Sequence, residues 1–382
     1  MSSRQLSLLS TDTISDGFDP TRLTQARRLA GLTKRTVAEQ IGVSPVAVGQ
    51  WEAGTARPRP DNVAHLADVL DVPTSHFAVG RPYARLDSSA AHFRSLRKTP
   101  ALQRQKAIAF TEQLWELVNA LEKRVQMRPV DLPGFSAGEV LHDWDLFPTE
   151  PVPAAQALRQ HWKIEPGCIH HLVRTMERHG LVVAFVSYPG AATIDAFSTS
   201  HLPRPIVVLT PNRTDDVYRH RFTTAHELGH LVMHSDCAPG DLKQEREADA
   251  FAAEFLTPRA EIAPLLPARL DLKKLEQLSQ EWGVSVESLL YRCREVEAIS
   301  DATYRRAFQR INQLRSAGLF RSEPVKDSPG EVPILLKRAF AVAEQNGLTM
   351  EDLADELRMK LPRLRGLLGE DETDQRPTLR LV

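Results

Sequence analysis

Apolar residues recur every three or four positions over most of the 382-residue chain, and alternate or cluster only in one central region. From 21 to 80 the pattern falls into short helical pieces set apart by Gly and Pro. Over 101–126, ALQRQKAIAFTEQLWELVNALEKRVQ keeps apolar positions at helical spacing and charges elsewhere, predicting one long amphipathic helix packed as a connector. The stretches MRPVDLPGFSAGEV and DLFPTEPVP are Pro-rich breaks on either side of a short irregular piece. From 153, PAAQALRQHW and CIHHLVRTMERHG read as helices, and LVVAFVSY, TIDAFS and PIVVLT as strands. Helical spacing then returns over 222–234 and LKQEREADAFAAEFL, and at about 272–282, 286–297, 301–318, 331–345 and 350–369. The fold class expected is mainly α with a small β-sheet, an α+β protein.

In LTKRTVAEQIGVSPVAVGQWEAGTARPRP, Thr33 suits the cap of a helix through Ile41, and Gly42 can take the left-handed conformation of a tight turn. Ser44 then caps a second helix, with Pro45 at its first position, where a missing N–H costs nothing. Val37, Ala38, Ile41, Val43, Val48 and Trp51 supply the apolar faces that hold the two helices at a fixed crossing. This is helix-turn-helix grammar, whose second helix enters the major groove. GLTMEDLADELRMK at 347–360 echoes GLTKRTVAEQIGVS at 31–44, and LEQLSQEWGVSVESLLYR at 275–292 repeats the helix–turn–helix order. Both echoes are more acidic, and packing against neighbouring domains is expected of them.

Composition narrows the class. A 42% hydrophobic and 25% charged chain is an ordinary globular composition. With a net charge of -1, any nucleic-acid contact has to be local. Residues 21 to 60 carry seven Arg and Lys side chains (Arg22, Arg27, Arg28, Lys34, Arg35, Arg57, Arg59) against Glu39 and Glu52, the local excess that phosphate neutralisation requires. Three scattered cysteines argue for a reducing compartment without disulfides. No long apolar run marks a membrane span, and the first 20 residues lack a signal peptide's apolar core; they read as a disordered leader. A cytoplasmic protein is expected.

FTTAHELGHLVMH, at 222–234, carries the sharpest chemistry. His226 and His230 lie one turn apart on one helical face, so their imidazoles can reach one Zn2+ at about 2.0–2.1 Å. Glu227 follows, able to take a proton from a water at the metal. Gly229 lets another segment approach closely. A third histidine six residues on is absent, since Asp236 stands there. The next helix offers Glu245 as third ligand with Asp249 orienting a ligand histidine; Glu247 is the competing ligand. His234, one more turn along, could support a tetrahedral intermediate, bind substrate, or pack.

Two resemblances join these readings. Residues 21–80, with their QWEAG and RP ending, resemble the XRE-type helix-turn-helix of phage repressors. The resemblance implies that Lys34, Ser44, Pro45, Val46 and Gln50 face bases or nearby backbone, and that Arg57 and Arg59 meet phosphates. Pro45 and Val46 make no bidentate hydrogen bonds, so readout leans on Gln50 to an adenine and Val46 to a thymine methyl. RHRFTTAHELGHLVMH followed by EREADAFAAEFLTP resembles the ImmA/IrrE family of zinc metallopeptidases over roughly 90–320. That resemblance implies His226, His230 and Glu245 on zinc and Glu227 as general base, with Asp249 where family members often have Asn.

The organisation expected is a leader (1–20), a helix-turn-helix DNA-binding domain (21–80), a helical connector (81–135), a zinc peptidase domain (136–265), a helix-turn-helix-like extension (266–320) and a C-terminal helical region (321–382). The function expected is a DNA-binding transcriptional regulator whose zinc metallopeptidase cuts a partner repressor or antitoxin, bound as a homodimer to a double-stranded operator. The alternative is a repressor or antitoxin whose zinc domain senses a ligand or holds a partner without turnover. Glu227 favours the first, because a scaffold needs no base.

Overall fold

In the computed structural model the described residues are 10–86, 92–93, 100–133, 135, 147–186, 196–210, 216–234, 242–319 and 323–370. The expected irregular piece, the strand segments at 187–195, Asp236 and Cys237 lie outside them. The N-terminal unit is five helices: α1 (Thr11–Asp16), α2 (Pro20–Ala30), α3 (Lys34–Ile41), α4 (Pro45–Ala53) and α5 (Pro60–Val69). Thr33 caps α3 by accepting from the Thr36 N–H, Gly42 takes φ 72°, and Ser44 caps α4 from the Ala47 N–H. The pattern of caps and turns alone foretold these. Residues 1–9 of the expected leader lie outside the described residues, and its residues 10–20 are ordered, contrary to expectation. Ser10 caps α1, and Ile14 and Phe18, four apart, are buried with Leu23 and Phe77. Two apolar anchors in a polar setting were enough to order it.

A two-residue strand β1 (His92–Phe93) precedes the long helix α6 (Ala101–Glu122), and α7 (Pro151–His161) and α8 (Leu172–Arg178) follow. Strands β2 (Val182–Phe185), β3 (Ala196–Thr199) and β4 (Ile206–Leu209) complete a sheet of order β1-β3-β4-β2. β2 runs parallel to β4, and β3 is antiparallel to both of its neighbours. Side chains alternate across a sheet, and both faces here are covered. Val183, Ala196, Val207 and Leu209 join the core built on α9 (Val217–Met233) and α10 (Leu242–Leu256). Val182, Ala184, Phe197, Ile206 and Val208 join a second core, with α6 and the C-terminal helices. The connector is thus also a wall of the central sheet.

After the short helix α11 (Arg259–Ile262) come α12 (Leu272–Trp282), α13 (Val286–Glu295) and α14 (Asp301–Ser316), then α15 (Leu335–Gln345), α16 (Met350–Leu357) and α17 (Leu361–Leu367). The α9–α10 core runs on without a break through Leu275, Trp282, Leu289 and Ile311. The single helix expected over 350–369 is two. Arg358 takes the left-handed conformation (φ 50°), and Pro362 lies in the first turn of α17, where it starts a helix rather than continuing one.

Buried polar bonds lock the N-terminal unit to the rest. The Arg22 guanidinium, fully buried, donates to Glu116 Oε1 of α6 at 2.5 Å, and Gln25 Nε2 donates to the same oxygen at 2.9 Å. Arg81 donates to Glu116 Oε2 at 3.2 Å and to the Leu357 carbonyl. From the far end, Arg358 donates to the carbonyls of Ser75, Ala78 and Val79. The 347–360 echo therefore packs against the N-terminal unit, as its acidic surface suggested.

Candidate metal centre and nucleic-acid surface

Helix α9 begins on Asp216, whose carboxylate accepts the Tyr218 and Arg219 N–H groups. It is buried on nearly every side from Val217 to Val232, so its polar side chains must be satisfied inside the protein. Helix α10 crosses it closely where Gly229 has no side chain; a Cβ there would stand 3.0 Å from the Phe251 ring. That approach brings the acidic turn of α10 against the imidazoles of α9.

His226 Nε2 and His230 Nε2 are 3.1 Å apart. Glu245 Oε2 is 3.6 Å from the first and Glu245 Oε1 3.4 Å from the second. Donors held about 2.0–2.1 Å from a tetrahedral zinc lie roughly 3.3–3.4 Å from one another, so this triangle fits such an ion. Among the described residues these three form the group of His, Cys, Asp and Glu side chains that could hold a metal. Burial pushes the Glu245 carboxyl up, but the hydrogen bonds and charges of His226 and His230 outweigh it and bring it down to about 2. Burial lowers His230 to about 4, against the carboxylate of Glu245. At neutral pH the set is one carboxylate and one neutral imidazole beside His226, the forms that bind metal.

Around this triangle, His226 Nδ1 meets Asp249 Oδ1 at 2.8 Å. His234 Nδ1 lies 3.0 Å from His230 Nδ1, and His234 Nε2 lies 3.0 Å from Glu247 Oε2. Glu247 is thus turned to His234, while Glu245 faces the two imidazoles. Glu227 is fully buried and accepts the Ser198 hydroxyl at 2.7 Å. Ser198 was not singled out from the sequence. Its signal was the alternation of β3, which puts it on the same face as Ala196, toward α9.

On the N-terminal unit, α4 presents Pro45, Val46 and Gln50 to solvent, Val46 at 67% exposure. Ser44 is exposed but spends its hydroxyl on the helix cap. Arg57 and Arg59 are exposed beside the end of α4. Lys34 is half exposed and paired with Glu52 at 3.2 Å. Two of the seven cations counted toward phosphate binding are internal: Arg22 serves Glu116, and Arg27 serves Glu52 at 2.6 Å. Glu116, 94 residues away, lies beyond a local charge count, and Glu52, though inside it, does not show by its position that it holds Arg27 in the interior. The helix face that would enter a groove is uncharged, with cations on its flanks.

Residues 23–77 match the helix-turn-helix family, and residues 176–294 match the IrrE N-terminal-like domain of peptidase family M78. The second match spans α9, α10 and Ser198, and so every residue of the candidate metal centre. No curated protein matches the chain. Among the described residues no helix is long and apolar enough to cross a membrane. The chain therefore joins an XRE-type helix-turn-helix DNA-binding domain to an IrrE N-terminal-like domain of the M78 metallopeptidase family.

Proposed function

We propose that the protein is a cytoplasmic transcriptional regulator whose zinc-dependent metallopeptidase domain hydrolyses a peptide bond in a partner protein, a repressor or an antitoxin. The observation that carries this reading is the convergence of His226, His230 and Glu245 within 3.1–3.6 Å of one another, one residue from a buried carboxylate. Zinc held by these donors would polarise a peptide carbonyl and make a water molecule acidic near neutral pH.

His226 and His230 would offer Nε2 to the ion, and Glu245 a carboxylate oxygen. Asp249 fixes the orientation of His226 through Nδ1. The Glu227 carboxylate takes a proton from the attacking water and passes it to the departing amine nitrogen. The Ser198 hydroxyl holds Glu227 Oε2 and so limits the rotation of that carboxylate. A base held in this way supports turnover over a sensing or scaffolding role.

The DNA-binding half fits a double-stranded operator, with Gln50 and Val46 of α4 toward bases, Arg57 and Arg59 toward phosphates, and Lys34, Ser44 and Pro45 beside them. Paired half-sites would call for a homodimer. The test is metal content and cleavage of proteins encoded beside this gene, using wild type, chelated protein and Glu227→Gln. Loss of cleavage with retained metal in Glu227→Gln is expected. Cleavage that survives both chelation and this substitution would overturn the peptidase reading.

A further inference from the structure

We infer that Glu247 and His234 form a positioning relay that holds His230 in the tautomer able to bind a metal, an inference that rests on the metal site proposed above. The geometry is a chain of three groups. Glu247 Oε2 is 3.0 Å from His234 Nε2, and His234 Nδ1 is 3.0 Å from His230 Nδ1. An ionised carboxylate only accepts hydrogen bonds, so His234 Nε2 carries a proton. A neutral His234 then has its lone pair on Nδ1, and the proton between the two Nδ1 atoms belongs to His230. With its Nδ1 protonated, His230 has its lone pair on Nε2, the atom 3.4 Å from Glu245.

Asp249 produces the same result at His226 in one step, by accepting from Nδ1 at 2.8 Å. Two outer carboxylates of α10 thereby aim two Nε2 lone pairs, 3.1 Å apart, at one point. Lone pairs so close repel unless a cation lies between them. The two supports are unequal in build. Asp249 reaches its histidine directly, whereas Glu247 works through His234. His234 sits at the C-cap of α9, where the backbone has already left the helix (φ -124°) and the ring can turn back over His230. His234 is 4% exposed, so little water competes for either of its nitrogens.

The test reads cobalt(II) affinity by chelator competition on the full chain, with no substrate. Glu247→Ala and His234→Ala should each bind about 10–100-fold more weakly than wild type. The double variant should bind no more weakly than His234→Ala, because Glu247 acts only through that ring. Glu247→Gln keeps an acceptor for His234 Nε2 and should recover most of the affinity. Lys243→Ala, which removes a 3.4 Å ion pair from Glu247 on its outer side, should leave it unchanged. Circular dichroism melts confirm that each variant is folded. Wild-type affinity in Glu247→Ala, or losses that multiply in the double variant, would overturn the relay. A wild type that takes up no cobalt overturns relay and metal site together, while a metal-loaded protein that cuts nothing bears on turnover alone.

Discussion

Phe251 lies so close to Gly229 that a Cβ on the glycine would stand 3.0 Å from ring Cδ1 and 3.2 Å from Cγ. The ring has nowhere to retreat, being buried and stacked on Phe255 with centroids 5.5 Å apart. Gly229→Ala should therefore push α10 away from α9 and carry Glu245 and Asp249 with it. A loss of about 1–3 kcal/mol in stability is expected, with weaker metal uptake. Adding Phe251→Leu should recover part of both. Denaturant titration and chelator competition measure them, and a Gly229→Ala protein matching wild type in each would contradict this account of the helix crossing.

Glu116 answers two buried guanidinium groups, those of Arg22 and Arg81. Glu116→Ala leaves Arg22 charged and fully buried, with Asp19 at 3.8 Å as its remaining carboxylate, and leaves Arg81 beside it without Glu116. Removing one member of such a pair costs about 3–5 kcal/mol. Urea unfolding should show this loss, and Arg22→Met with Arg81→Met and Glu116→Leu, which removes both guanidinium groups along with the carboxylate, should be far milder than Glu116→Ala alone. A Glu116→Ala protein as stable as the wild type would mean the junction is wet rather than buried.

The neighbouring Glu112 gives a pH signature. Burial pushes its carboxyl up to about 7, against the hydrogen bonds it accepts from the Leu86 N–H and the Tyr83 hydroxyl, both at 3.1 Å. A raised acid favours the protonated form in the folded state, so its contribution is whole below about 4.5, the ordinary value for Glu, and drains away as pH climbs to about 7. Glu112→Gln stays neutral throughout. Its melting temperature should match wild type near pH 4, rise above it across that window, and keep a constant lead from pH 7 upward. A lead that shrinks with rising pH would show the sign to be wrong.

On DNA, the uncharged face of α4 and its cationic flanks should separate under mutation. Gln50→Ala should lose about 1–3 kcal/mol of discrimination at one base pair while the salt dependence stays as it was. Arg57→Ala should weaken all sequences alike and lower the slope of log affinity against log salt by about 1. Binding titrations on operator and random duplexes at several salt concentrations decide between these patterns.

Legibility followed range. Signals confined to a few residues read correctly: the Thr33 and Ser44 caps, the Gly42 turn, and the two histidines a turn apart. Spacing along two helices also offers His226, His230 and Glu245 as donors, with Glu247 competing, and the structure brings the first three together. Partnerships across the chain did not read. Arg22 counts as a surface cation until α6 brings Glu116 to it, and Ser198 looks like one more strand residue until β3 turns it toward Glu227. The connector likewise gave no hint that it covers a sheet, because an amphipathic face does not say what it will lie against. Pro362 is a local signal too, since it marks the start of α17 and keeps a single helix from running over 350–369.

Arg358 and the carbonyl of Ala78 that it holds are 280 positions apart, so the helix-turn-helix unit is fastened in part by a residue made long after it. The helix-turn-helix unit can close its own small core before Arg358 is made. Glu116 of α6 can dock it soon after, but the second fastening waits until Arg358 has emerged. A product clipped ahead of Arg358 would still carry a folded reader, gripped on one side through Glu116 and slack on the other.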